Sequence, residues 1–388
     1  MKLSKYLSPS GSFVLGYLFE FMILPLQLEL NNWKLFANQG VNLNFLPVQN
    51  CQGLILLGPN GSGKTSILEA YYSLLTSKPW PGTKFNQSIS FEANYFGLRS
   101  SDNQWFLNGQ INPRGRVVTK WESPENQIQK PAVFWYQPNF NYWLGSSRSD
   151  KLKILDMLIV MSGDSGYNQA LAKLNQSIKG KQNLIKQCEI NPEVDDIILN
   201  QLNNSIYEAS KSIWSGRKKF FDKITCQIGD YGSMIETDVS SFEARCQYSN
   251  ISGHRSLIEI GFPSIPTATQ WASIWNKELI TGQVLFGAHR DDFDFEIRRR
   301  SINNTLSRGE KRLFTFFVIG LAIKSHRTIN PEKSIIFLAD DIFNELDAKR
   351  NLLLFNTIVN CVDFFLITSA QDIAGLEQWS TSIDTILV

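Results

Sequence analysis

The sequence predicts an α/β chain: a phosphate-loop core sheet, an antiparallel β layer beside it, and an inserted lobe that is mainly helical. Three observations predict this. The run Gly53-Leu54-Ile55-Leu56-Leu57-Gly58-Pro59 is wholly apolar, stops on turn residues, and is followed from Thr65 by a stretch with helical periodicity, the strand, glycine loop and helix order of a phosphate-binding unit. Near the C-terminus two more apolar runs, Ser334 to Asp341 and Phe364 to Ser369, have the length and composition of fully buried strands. Between these ends, from about Asp150 to Tyr231, Lys, Gln, Asn, Leu and Ile recur at helical spacing.

The elements follow in order. Leu26 to Phe36 and Val41 to Pro47 alternate in polarity like strands, as do Ser88 to Leu98, Asn103 to Ile111 and Gly115 to Trp121, which together suggest the antiparallel layer. Ala132 to Gln137 reads as a further apolar strand ending at Gln137. In the middle, Gly180, Pro192 and Gly216 interrupt the helical pattern, so several helices are expected rather than one rod; sustained heptads are missing. Strand-like pieces then precede an aromatic-bearing helix near Trp271 to Leu279. Val284 to Arg299 reads as a hairpin containing a tight polar turn, Gly309 to Ser325 as a helix, Asn351 to Cys361 as a helix, and Asp384 to Val388 as a last edge strand. The domain expectation is a leader over 1–25, a split head over 26–148 and 282–388, and the inserted lobe over 149–281.

Bulk properties limit the classes. A chain of 388 residues suggests roughly two compact units. With 43% hydrophobic residues and no low-complexity tract it is a folded chain, and a formal charge of +2 neither requires nor excludes a polyanionic partner. The five cysteines, Cys51, Cys188, Cys226, Cys246 and Cys361, include no C-x-x-C pair, which argues against structural zinc and for reduced thiols in the cytoplasm. The apolar stretch from Gly11 to Leu24 carries Glu20 and is closed by Pro25; it is shorter than the roughly 20 residues a membrane span needs, so no membrane association is expected.

Three motifs carry chemistry. Gly58-Pro59-Asn60-Gly61-Ser62-Gly63-Lys64-Thr65 matches G-x-x-x-x-G-K-[ST] in full. Its glycines let main-chain N–H groups wrap phosphates, Lys64 would contact the β- and γ-phosphates, and the Thr65 hydroxyl would bind Mg²⁺. The run Ile335 to Ala339 ends on Asp340 and Asp341, placing two acids at the C-terminal end of a buried strand, where open α/β sheets hold ligands. Asp340 would hold Mg²⁺ and Asp341 would orient or deprotonate an attacking water. Leu306-Ser307-Arg308-Gly309-Glu310 opens a helix with Ser307 at the cap, an N-terminus able to grip a γ-phosphate. These point to an ATP-binding protein that hydrolyses ATP, using ATP and Mg²⁺.

The order of those motifs, followed by Glu345-Leu346-Asp347, is that of the ATP-binding cassette superfamily, and the chain resembles its RecF family, an SMC-related branch. The resemblance runs from about Leu26 to the C-terminus. It is densest at the phosphate loop, Tyr136 to Asp156, Gly287-Ala288-His289-Arg290-Asp291-Asp292, Leu306 to Arg312, and Phe337 to Arg350. It implies an ATP-dependent homodimer that sandwiches nucleotide. Ser307 and Gly309 would then act on the partner's ATP, Asp347 would sit at the dimer seam, and Gln137 would join γ-phosphate and metal to the lobe. It also implies binding to gapped DNA and single-strand to double-strand junctions, with RecO and RecR loading the recombinase RecA, in a DNA repair, replication and recombination role. The leader, Glu310 in place of a common glutamine, Asn344 in place of a small residue, and the lack of a switch histidine after Ser369 depart from the family pattern.

A DNA surface needs cations on one face. Lys78, Lys84, Arg99, Arg114, Arg116, Arg148 and Lys151 are proposed for it, with Arg217-Lys218-Lys219 and Arg298-Arg299-Arg300. A transporter subunit is disfavoured by the long separation of Lys64 from Ser307, and SMC or break-repair ATPases by the missing coiled-coil arms. An SMC-related ATPase of another DNA-processing or defence system, without RecO and RecR, stays open as the alternative.

Overall fold

The computed structural model describes residues 27–36, 41–44, 53–100, 105–123, 130–188, 195–235, 238–249, 255–257, 262–343, 348–370 and 383–387. The leader, Cys51, Asn344 and Asp347 lie outside the described residues. The chain divides into two compact units, Met1–Val133 with Thr381–Val388, and Phe134–Ser380. The expected lobe, 149–281, is wholly inside the second unit, and the expected head contributes to both.

In the first unit a five-stranded antiparallel sheet runs in the order Val41–Asn44, Gln27–Asn31, Tyr95–Ser100, Phe106–Ile111, Val117–Glu122. Alternation sets its faces: Phe96, Leu98 and Leu107 are buried, while Tyr95 and Val118 are exposed, as period-2 side-chain direction requires. The residues before Tyr95 form turns rather than the strand expected from Ser88 onward. Strand Gly53–Leu57 pairs in parallel with Ile383–Leu387. After it comes helix Lys64–Thr76, which buries Ile67, Leu68, Tyr71, Leu74 and Leu75. Two indoles hold this helix by its carbonyls: Trp33 Nε1 donates to Ser66 O at 2.8 Å and Trp121 Nε1 to Leu74 O at 2.7 Å. A buried indole without such an acceptor would leave an unsatisfied donor worth about 1–3 kcal/mol of destabilisation.

In the second unit strand Ile335–Ala339 pairs in parallel with Phe364–Ser369, with Ala132–Tyr136 as its other neighbour. All five residues of Ile335–Ala339 and all six of Phe364–Ser369 are buried, which is why both read as unbroken apolar runs. Helices Arg308–Ile329 and Ala348–Val359 connect these elements. A second antiparallel sheet has the order Arg300–Ser301, Asp292–Ile297, Phe242–Ser249, Arg255–Leu257. The hairpin expected over Val284 to Arg299 therefore lies further along, with Arg298 (φ 52°) and Arg299 (φ 60°) in its left-handed turn.

The middle of the chain folds as helices Arg148–Met161, Ser165–Cys188 and Asp196–Ile235. Gly180 and Gly216 do not interrupt them. Gly216 sits inside the 40-residue helix Asp196–Ile235, where an added Cβ would stand 2.3 Å from Cδ2 of Tyr167. A glycine within a helix reads as a breaker from propensity alone; here it makes room for an aromatic ring from the neighbouring helix, a packing gain that outweighs the propensity loss. Among the described residues no helix is long and apolar enough to cross a membrane.

Candidate nucleotide site and its supporting network

The phosphate loop belongs to the first unit. Gly61 (φ 88°) and Gly63 (φ 103°) occupy the left-handed region, which side chains bearing a Cβ rarely adopt. Gly63 has a second constraint, since a Cβ there would lie 2.7 Å from Cζ of Phe36. Gly63 is also the N-cap of helix Lys64–Thr76, without a side-chain cap, and the first turn carries no acidic residue. The N–H groups of that turn and the positive end of the helix dipole are thus left to an anion. Lys64 Nζ donates to Gly58 O at 2.7 Å and Pro59 O at 2.8 Å, which draws the ammonium over the loop with a third proton to offer. Ser62 Oγ is buried with no hydrogen-bond partner among the described residues. A buried hydroxyl without a partner among the described residues, at the start of a helix with no side-chain cap, suits phosphate oxygens. Pro59, Asn60, Gly61 and Thr65 are exposed.

The acids, Gln137 and the Ser307 turn belong to the second unit. Asp340 N–H donates to Tyr136 O at 3.1 Å, so Gln137, the residue after Tyr136, sits at the same sheet end as Asp340. Gln137 is extended (φ −140°, ψ 155°) and caps the short 3-10 helix Pro138–Gly145. Asp341 takes a left-handed φ of 48°, uncommon for a residue with a Cβ. Two bonds fix it there: its N–H donates to Thr368 Oγ1 at 3.0 Å, and its carbonyl accepts from Arg312 Nη2 at 2.7 Å. Thr368 Oγ1 in turn donates to Asp340 Oδ1 at 2.6 Å. Arg312 is buried, with its guanidinium carbon 6.0 Å from the centre of the Tyr136 ring.

Ser307 caps helix Arg308–Ile329 as expected, and the cap is reciprocal. Glu310 N–H donates to Ser307 Oγ at 3.3 Å, and Ser307 N–H donates to Glu310 Oε2 at 2.7 Å. Glutamate and glutamine can both close such a box, so the departure at Glu310 keeps the turn. Ser307 is exposed and Gly309 half-buried. The structure thus gathers Gln137, Asp340 and Asp341 at one sheet end, tied to the Ser307 helix through Arg312; Lys64 and Thr65 stand together in the loop of the other unit. Sequence reasoning missed Thr368, Arg312 and Tyr136. The register that pairs Ala339 with Ile367 carries a signal for Thr368, a hydroxyl one residue on in the neighbouring buried strand.

The Gly287–Asp292 run is not a solvated turn. Residues Ala288–Arg290 make a 3-10 turn, and Asp291 beyond it is fully buried. Asp291 Oδ2 accepts from Trp214 Nε1 at 2.8 Å and from Arg217 Nη1 at 2.7 Å, while Ala288 O accepts from the same Nη1 at 2.9 Å. Asp156 takes the other side of Arg217, accepting at 2.9 Å from both Nε and Nη2. Tyr167 hydroxyl also donates to Asp156. Arg217 is 1% exposed and so is not part of a DNA surface: its charge is matched by two carboxylates, half-buried Asp156 and fully buried Asp291. Lys151 is likewise committed, donating to Phe293 O and pairing with Asp292, both at 2.8 Å. His289, held by Val284 O at 3.1 Å, is pushed by burial down to about 4, so it is neutral near pH 7.

Comparison with known proteins agrees with this architecture. The family model for the P-loop containing region of AAA domain matches residues 26–92. The DNA replication and repair protein RecF of Lactobacillus johnsonii is 25% identical over 376 residues, covering 90% of this chain and 92% of its own. That of Cytophaga hutchinsonii is 24% identical over 311 residues, covering 76% and 77%. A solved structure of the recombination mediator protein RecF with ATP superposes with a TM-score of 0.64 at 19% identity, covering 90% of this chain and 94% of that one. One with ATPrS gives 0.65 at 19%, covering 89% and 92%. With a complete phosphate loop, a buried strand ending in two acids, and likeness to RecF proteins along most of its length, this chain is a P-loop protein similar to RecF in sequence and fold.

Proposed function

We propose that the protein acts as a RecF-like DNA repair and replication ATPase of the cytoplasm: a slow ATPase whose ATP-bound homodimer closes on gapped DNA and single-strand to double-strand junctions and works with RecO and RecR to load the recombinase. What carries the reading is the pairing of a phosphate loop with the Gly287–Asp292 run inside one RecF-like fold. Lys64 and the loop N–H groups bind the β- and γ-phosphates. Thr65, Asp340 and Gln137 offer the oxygen donors that suit Mg²⁺, which needs only one or two protein ligands beside phosphate oxygens. The metal supplies neutralisation of charge developing on the transferred phosphoryl group. Asp341 orients or deprotonates the attacking water. Ser307 and Gly309 face the partner's γ-phosphate, with Asp347 at the seam. On this reading the head comprises 26–148 and 282–388, and 149–281 is its lobe.

Among the cations proposed for DNA, Arg114, Arg116, Arg299 and Lys219 are exposed and make no ion pair among the described residues, which supports their assignment to phosphate contacts. Equilibrium binding to gapped DNA, to blunt duplex and to RecR, with and without ATP, tests the proposal. ATP-dependent preference for the gap, with affinity falling steeply as salt rises, is expected. Absence of ATP-dependent binding to any DNA contradicts it, and gap binding without affinity for RecR favours the defence or other DNA-processing alternative.

A further inference from the structure

The strand Phe364–Ser369 contributes one polar side chain to the acid pair, and that side chain has both its hydrogen-bonding capacities in use. Thr368 is fully buried. Its Oγ1 accepts from Asp341 N–H at 3.0 Å and donates to Asp340 Oδ1 at 2.6 Å. A hydroxyl has a single proton. An ionised carboxylate can only accept, so in the 2.6 Å contact that proton goes to one named oxygen of Asp340. The consequence for Asp340 is a carboxylate held at Oδ1 by the neighbouring strand. The consequence for Asp341 is a held peptide in a left-handed conformation (φ 48°), whose carbonyl is gripped from the other side by Arg312.

We propose that Thr368 is a positioning residue for nucleotide hydrolysis: through one hydroxyl it sets the orientation of the Asp340 carboxylate toward Mg²⁺ and the backbone from which Asp341 addresses the attacking water. This rests on the assignment of Asp340 and Asp341 given above. A valine at 368 fills the same volume with a methyl group in place of the hydroxyl. It would remove the bond that holds Asp340 Oδ1 and the one that Thr368 gives the Asp341 N–H. Groups that orient a metal-ligating side chain typically change metal affinity or activity by about 10–100-fold when removed.

The test compares the full-length protein with Thr368→Val, Thr368→Ser and, as the control for the site itself, Asp340→Asn. Two readouts are taken: the affinity for a fluorescent ATP analogue in Mg²⁺ against EDTA, and the kcat and KM of hydrolysis. Thr368→Val is expected to keep the affinity in EDTA, to lose about 10–100-fold of the Mg²⁺-dependent gain, and to lower kcat with little change in KM. Thr368→Ser, which keeps the hydroxyl, is expected to restore both. Should Thr368→Val not fold, Thr368→Ala removes the same hydroxyl without a branched side chain. A Thr368→Val protein with parental Mg²⁺ gain and kcat, alongside an impaired Asp340→Asn, overturns the proposal alone, as does a Thr368→Ser protein as defective as Thr368→Val. An Asp340→Asn protein with parental Mg²⁺ dependence overturns the site assignment and the proposal together.

Discussion

The phosphate loop and the Gly287–Asp292 run use the same kinds of residue, glycines beside charged groups, to opposite ends. In the loop, Gly61 and Gly63 take positive φ, the helix that follows has no side-chain cap, and Pro59, Asn60, Gly61 and Thr65 face solvent. No side chain caps the start of its helix, which leaves the positive end of the dipole for an anion. In the second run Gly287 also has a positive φ, 127°, but an added Cβ there would meet Ile206 Cγ2 at 2.9 Å, and Asp291 is buried against Trp214 and Arg217. Asp291 Oδ2 and the Ala288 carbonyl are bonded inside the fold. The difference teaches that similar residue types do not imply similar chemistry: the loop presents an uncapped helix start, whereas the second run is packed into the fold.

Mutation can break or sharpen that contrast. Arg217→Met takes the cation from half-buried Asp156 and leaves Asp291 fully buried without it, and removing one partner of a buried pair destabilises by about 3–5 kcal/mol. Urea unfolding should show that loss while ATP affinity, measured where the protein stays folded, is unchanged; a comparable loss of affinity would join the two regions functionally. The next effect is a pH dependence. Burial lowers His289 to about 4 against 6.5 for the free group, so the unfolded chain takes up a proton that the folded chain refuses. The group costs no stability above pH 6.5, and stability is lost as pH falls from 6.5 toward 4, by about 3 kcal/mol in full. His289→Gln should flatten that part of the curve in denaturant titrations at stepped pH, and a curve of unchanged steepness would show the imidazole to be solvated. Gly216→Ala drives a methyl group into the Tyr167 ring, and overpacking of this kind destabilises by about 1–3 kcal/mol. Smallest in stability is Lys64→Met, which removes hydrogen bonds to Gly58 O and Pro59 O and should shift unfolding by about 1 kcal/mol. Calorimetric titration of the same variant should show no ATP binding.

The parts of the fold that sequence revealed were those whose pattern is local. Strand Gly53–Leu57, helix Lys64–Thr76 and strand Ile335–Ala339 stand where apolar runs and turn residues placed them, and Ser307 caps its helix from the sequence signal of a cap followed by Glu310. What stayed hidden depends on partners distant in the chain. Gly216 looks like a helix breaker until Tyr167 is placed against it. Arg217 looks like one of three surface cations until Asp156 and Asp291 are found on either side. Thr368 looks like the end of an apolar strand until the parallel register sets it beside Asp340. Sequence spacing carries the backbone's period, whereas these pairings are set by which elements meet in space.

The central claim is that ATP joins two copies of this chain, each lending Ser307 to the other's phosphate loop. Sedimentation of Asp341→Asn, which should bind ATP without turning it over, tests this most directly. The account predicts a monomer without nucleotide and a stable dimer with ATP and Mg²⁺, abolished by adding Ser307→Arg. A protein that binds ATP to saturation and still sediments as a monomer would contradict it.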